Sequence, residues 1–152
     1  MARAKPIPGV DYDAPAGEGI RLVLNLRLDE MCALREQALE WNDPEGVHDM
    51  RVASRRLRGA LRDFLPYLRK RPLFTCLGEI KAIARSLGRV RDYDVAIMAL
   101  EKIATKAPAE ISKGILSFAK FRGAGLDEWR LKLGQALKED VLGDLEQSFP
   151  GQ

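Results

Sequence analysis

The stretch from His48 to Arg62 repeats at the period of an α-helix, and this commits the middle of the chain to a helix with two unlike sides. Its histidine and four of its arginines stand at positions 48, 51, 55, 58 and 62, in steps of 3, 4, 3 and 4 residues. At about 100° per residue, these five share an arc of about 80°. Val47, Met50, Leu57, Ala60, Leu61, Phe64 and Leu65 fill the adjoining arc. Such a helix buries its apolar face and carries a ladder of positive charge along the edge of that face. With a rise of about 1.5 Å per residue, the rungs are about 4.5–6 Å apart. That spacing suits a long anion of repeated charge better than a single small one.

The other segments carry the same period. Ile20, Leu24, Leu28, Met31, Leu34 and Leu39 predict an amphipathic first helix from about Glu18 to Trp41. Asn42-Asp43-Pro44-Glu45 then reads as a stop and a start, with Asp43 as cap and Pro44 at the first helical position of the arginine helix. That helix runs to about Leu65, where Pro66 ends or kinks it. A third helix is expected from Arg71-Pro72 through Leu87, with Leu73, Leu77, Ile80, Ile83 and Leu87 inward, and Gly88 weakening or breaking it. A fourth, capped by Asp92 or Asp94, ends near Thr105. A final helical region reaches Phe149, and its glycines suggest two helices meeting near Gly123–Gly125. Residues 1–16, with three prolines and no periodicity, read as a flexible lead-in. Residues 17–149 then form one domain, all-α, most simply an antiparallel helical bundle.

The chain has a net charge of +3, and the distribution of that charge says more than its size. Residues 48–91 hold twelve Lys/Arg against three acids, an excess of nine, so the remainder carries a net −6. That asymmetry points to a polyanionic partner. A basic face that is merely solvated ordinarily interleaves acids at i+3 or i+4, but Asp49 and Asp63 fall off the stripe. Lys81 and Arg85 form a second basic pair one turn apart, and Arg89 and Arg91 follow Gly88. Arginine holds its charge at all accessible pH and grips phosphate oxygens with a rigid pair of donors.

Several chemistries are poorly provided for. One histidine and two isolated cysteines do not make a closed zinc site, and the Asp92/Asp94 pair is a weak metal signal. No metal or cofactor is expected. No nucleophile elbow or phosphate-loop motif occurs, and Ser54 lies toward the apolar side of the stripe. Cys32 and Cys76 sit in apolar stretches, as free buried thiols do. With no signal-peptide core and no membrane-length apolar run, the expectation is a cytoplasmic protein without membrane contact.

Val47-His48-Asp49-Met50-Arg51-Val52-Ala53-Ser54-Arg55-Arg56-Leu57-Arg58, followed about 40 residues on by Leu87-Gly88-Arg89-Val90-Arg91-Asp92-Tyr93-Asp94-Val95, closely resembles the CHAD family, the conserved histidine α-helical domain. The resemblance implies a non-catalytic, all-helical module that binds inorganic polyphosphate in a basic channel, with association to polyphosphate granules. It also implies CYTH-type triphosphate-processing or other polyphosphate-metabolising enzymes as partners. The channel roles would fall to His48, Arg51, Arg55, Arg58, Arg62, Lys81, Arg85 and Arg91. Arg89 is the candidate to close the groove's end, and Arg56, about 100° from Arg55, faces another part of the groove or solvent. Full-length members resemble two related helical bundles, each with its own histidine-bearing basic helix, and this chain has only the first. It therefore resembles half of such a double bundle, one that pairs with a second copy in a homodimer or belongs to a longer protein. Two other functions compete with this one. The same charge could bind a nucleic-acid backbone, RNA above all, although no aromatic residue is interleaved between Arg51 and Arg62 for base stacking. The domain could also serve as accessory to a polyphosphate- or triphosphate-processing enzyme.

Overall fold

The computed structural model describes residues 6–11 and 13–149, with the side chains of residues 70–73 excepted. Residues 1–5 and 12 of the lead-in, and the inward placement of Leu73, therefore lie outside the described residues. Six α-helices follow in order: α1 Ala16–Cys32, α2 Arg35–Leu39, α3 Pro44–Asp63, α4 Lys70–Ala104, α5 Ala109–Ala136 and α6 Glu139–Gln147. A 3₁₀ turn, Leu65–Tyr67, links α3 to α4. Among the described residues there is no strand, so the all-α expectation holds. None of these helices is long and apolar enough to cross a membrane.

Helix α3 begins as its sequence dictates. Asp43 is extended, its carboxylate accepts from the Glu45 N–H at 2.9 Å, and Pro44 occupies the first turn. Such a cap contributes about 1 kcal/mol. The buried ladder of α3 is Val47, Met50, Ser54, Leu57 and Leu61. The basic ladder stands one residue later at every rung, and is therefore turned by about 100° out of the core. The buried ladder meets Leu24, Leu28 and Met31 of α1 and Ile80, Ile83 and Leu87 of α4 in one core, which Leu133, Leu137 and Leu145 complete.

Three helix boundaries differ from the sequence expectation. The first helix does not run through to Trp41: it breaks at Ala33–Leu34, and the short α2 swings onto the start of α3. The break lets Arg35 Nε donate to the Leu137 carbonyl at 2.7 Å, a cation placed at the C-terminal end of α5. Gly88 does not break α4, which is a single helix of 35 residues. Glycine inside a helix costs about 1 kcal/mol. Its neighbours Leu87 and Val90 are fully buried, and each contributes about 1.5–3 kcal/mol, so packing outweighs propensity. Asp92 and Asp94 therefore lie within a helix and cap nothing. The last region does divide in two, but at Leu137–Lys138 and not at Gly123–Gly125. Gly125 is a packing glycine: a Cβ there would come within 2.8 Å of the Tyr93 hydroxyl.

Asp94 instead clasps the fold behind the basic stripe. It is 7% exposed and pairs with Arg130 Nη2 at 3.3 Å. The same guanidinium nitrogen donates to the Trp41 carbonyl at 3.3 Å, and the group lies over the Trp41 ring. Burial pushes the Asp94 carboxyl above the usual range, while Arg130 and Arg91 pull it back down.

Both cysteines are free. Burial, and then the neighbouring Glu146 carboxylate, push the Cys32 thiol up to about 12. Burial also raises Cys76, against the opposing hydrogen bond to Ser148. Only a trace of the Cys32 thiol is ionised at pH 8, so its alkylation in the native protein should be at least about a hundredfold slower than for a free cysteine, and Cys76 should be slowed in the same direction. Denaturation should restore the ordinary rate. Native and denatured protein reacting equally fast with iodoacetamide would contradict this placement of the two thiols.

Candidate functional site

Arg51, Arg55 and Arg58 of α3 face Arg85 and Arg89 of α4 across a cavity of about 200 Å³, whose floor is Ala84 and Gly88. The two small residues let the helices approach. A Cβ on Gly88 would lie 3.9 Å from Arg51 Nε, so a longer side chain there would occupy the space of that guanidinium. Ser54, fully buried between the rungs, donates to the Arg51 carbonyl at 2.9 Å and is a packing residue. Its own carbonyl accepts from Arg58 Nε at 3.4 Å, which steadies that side chain.

The charges in this cavity are poorly matched. Among the described residues, Arg51, Arg55, Arg58, Arg85 and Arg89 carry no ion pair. Asp92 is the one carboxylate in the lining. Arg89 lies over the Trp129 ring, its guanidinium carbon 5.8 Å from the ring centroid. Stacking of this kind orients a guanidinium without neutralising it. Five guanidiniums around one small cavity repel one another, and an anion with several oxygens relieves that repulsion.

The remaining candidates divide between the rim and other parts of the fold. Lys81 is exposed on α4, one turn before Arg85, and His48 is half-buried on α3, one turn before Arg51. Arg62 is exposed at the far end of the ladder and reaches Asp63 at 3.6 Å, so Asp63 does compensate one rung that its place off the stripe left open. Arg56 points away from the cavity. It pairs at 3.1 Å with Glu30 of α1, a carboxylate only 6% exposed that Arg27 also holds at 2.8 Å. Arg91 turns to the start of α3, where it reaches Glu45 at 3.5 Å and donates to the Pro44 carbonyl at 3.4 Å. Both are committed to holding α3 in place. Sequence reasoning missed Trp129 and the role of Gly88. No sequence signal joins Trp129 to Arg89, which is 40 residues away. Gly88 was visible as an anomaly, a glycine between two basic residues and an apolar run.

Among the described residues, no group of three His, Cys, Asp or Glu is placed to hold a metal ion. Guanidiniums dominate the lining, and such groups are equipped to bind anionic oxygens.

Comparison with known proteins places these features in a wider set. A family model described as the CHAD domain matches residues 22–149. The crystal structure of the CHAD domain from the plant Ricinus communis is similar, with a TM-score of 0.74 and 26% sequence identity. The match covers 95% of this chain and 47% of that one, so the chain spans about half the length of the solved domain. No curated protein matches the chain.

Proposed function

Because the chain belongs to the CHAD domain family, we propose that it is a non-catalytic module that binds inorganic polyphosphate along the basic edge of α3 and α4. The observation that carries this reading is the cluster of Arg51, Arg55, Arg58, Arg85 and Arg89 around one cavity, all five without an ion pair among the described residues. A linear phosphate polymer offers each guanidinium its own oxygens. Lys81 and Arg62, both exposed at the end of the cluster nearer the α3–α4 turn, extend the track past the cavity on that side.

A nucleic-acid backbone is the competing ligand. Among the described residues no aromatic ring lines the cavity, and Trp129 is covered by Arg89. Base stacking, a main source of affinity for single strands, thus has no platform there. This favours a bare phosphate chain. Delivery of the bound polymer to a polyphosphate-metabolising enzyme, or residence at polyphosphate granules, follows naturally from such binding and belongs to the same proposal.

The test is a titration of labelled protein with polyphosphate near physiological salt, with single- and double-stranded nucleic acid as competitors matched in phosphate. Polyphosphate should win by orders of magnitude, and equal competition would overturn the reading. In the same assay, Arg55→Ala should weaken binding about tenfold and lower the slope of log affinity against log salt by about one contact. An unchanged slope would remove Arg55 from the site.

A further inference from the structure

The distal ends of α4 and α5 form a two-helix projection that the rest of the fold leaves open. Arg91 already reaches the first turn of α3. The thirteen residues of α4 that follow it therefore extend about 20 Å past the start of that helix. In α4 after Asp94 and in α5 before Leu126, only Ala104 and Ala119 are buried. Yet this projection is not polar. Val95, Met98 and Ile103 of α4 and Leu116, Phe118 and Phe121 of α5 are all exposed, Phe121 by 75%. Phe118 and Phe121 stack on one another with centroids 6.5 Å apart, presenting an aromatic pair to solvent. Two helices can bury only the strip between them, so these side chains remain outside. Apolar clusters of this kind on a folded surface mark association.

We propose that this tip seats a second copy of the chain in a two-fold dimer. Two observations choose that occupant. The solved CHAD chain is matched over 47% of its length by 95% of this one, so about as much again of that chain has no counterpart here. The tip also carries charges of both signs, Glu101, Lys102, Glu110 and Lys113 among them, with Lys113 and Glu110 paired at 3.0 Å. A mixed, apolar patch is self-complementary, as an isologous contact requires, whereas a strongly charged partner would find little to hold. The inference does not depend on what the basic cavity binds. It does affect that cavity: Asp92 lines it, and Val95 and Ala99 follow at three and seven residues along the same helix. A copy seated on the tip therefore borders the Asp92 end of the cavity.

The test is the mass of the whole chain by sedimentation equilibrium, without polyphosphate, over about a hundredfold range of concentration. Twice the 17.0 kDa chain mass is expected. Phe118→Glu with Phe121→Glu should raise the dimer dissociation constant at least about thirtyfold while leaving helical circular dichroism intact. If that pair misfolds, Val95→Lys with Met98→Lys tests the same surface from α4. A chain that stays monomeric throughout, or a dimer that survives folded tip variants, overturns the proposal. Polyphosphate binding by the monomeric variant, measured separately, reports on the cavity alone.

Discussion

Arg55→Glu combined with Arg85→Glu is expected to reduce polyphosphate affinity by at least about a thousandfold near physiological salt. The two side chains face one cavity from different helices, and neither has an ion pair to lose. A hydrogen bond to a charged group is worth about 1.5–3 kcal/mol, so each lost contact alone costs tenfold or more. Each glutamate then adds repulsion toward phosphate. The fold should not suffer, because the exchange relieves the crowding of five positive charges and gives Arg51, Arg58 and Arg89 carboxylates to pair with. Thermal melting should stay level or rise while binding disappears. Arg21→Glu with Lys106→Glu makes the same change in net charge at exposed positions outside the cavity lining and should weaken binding only slightly. Equal losses from the two pairs would show that total charge matters and the cavity does not.

Gly46→Val should be the most damaging single substitution for stability, costing about 3 kcal/mol or more. Gly46 is buried in the first turn of α3, where α2 crosses it. A Cβ there would overlap the Gln37 carbonyl and lie 3.0 Å from the Ala38 nitrogen. Both neighbours are backbone, so no rotamer change relieves the clash, and α2 must part from α3. Gly59→Ala on the same helix is the contrast. Nothing lies within 4 Å of the added methyl, and it should stabilise by about 0.5–1 kcal/mol. Urea unfolding separates the two, since the midpoints should move in opposite directions. A Gly46 variant as stable as the parent would mean that α2 does not dock there.

The parts of the structure legible in the sequence are those decided locally. The cap, the proline and the 3-4 ladder of α3 all lie within 20 consecutive residues, and the structure follows them closely. The arginine cluster was legible for the same reason, since helical spacing alone separates Arg56 from Arg55. What the sequence misled on was settled by distant partners. Gly88 reads as a helix breaker, but burial of Leu87 and Val90 carries α4 straight through it. The breaks at Ala33–Leu34 and Leu137–Lys138 contain neither glycine nor proline. They are tied to one another by Arg35 and Leu137, 102 residues apart. Arg91 looks like one more rung until Glu45 is brought beside it. Arg130, unremarkable in sequence, proves to be the counter-ion of buried Asp94.

Five guanidiniums without ion pairs among the described residues have a consequence for how any ligand arrives. In solution such a cavity is never bare: it holds a loose cloud of small anions that screens its self-repulsion. Capture of a polymer is then an exchange, in which one long molecule loses its freedom once and many small ions regain theirs. The favourable entropy grows with each phosphate that reaches a guanidinium and stops growing when the track is full. If polyphosphate is the ligand as proposed, such a cavity should measure length: orthophosphate should bind weakly, short chains should differ in affinity, and the gain should level off at the number of phosphates the arginines can span.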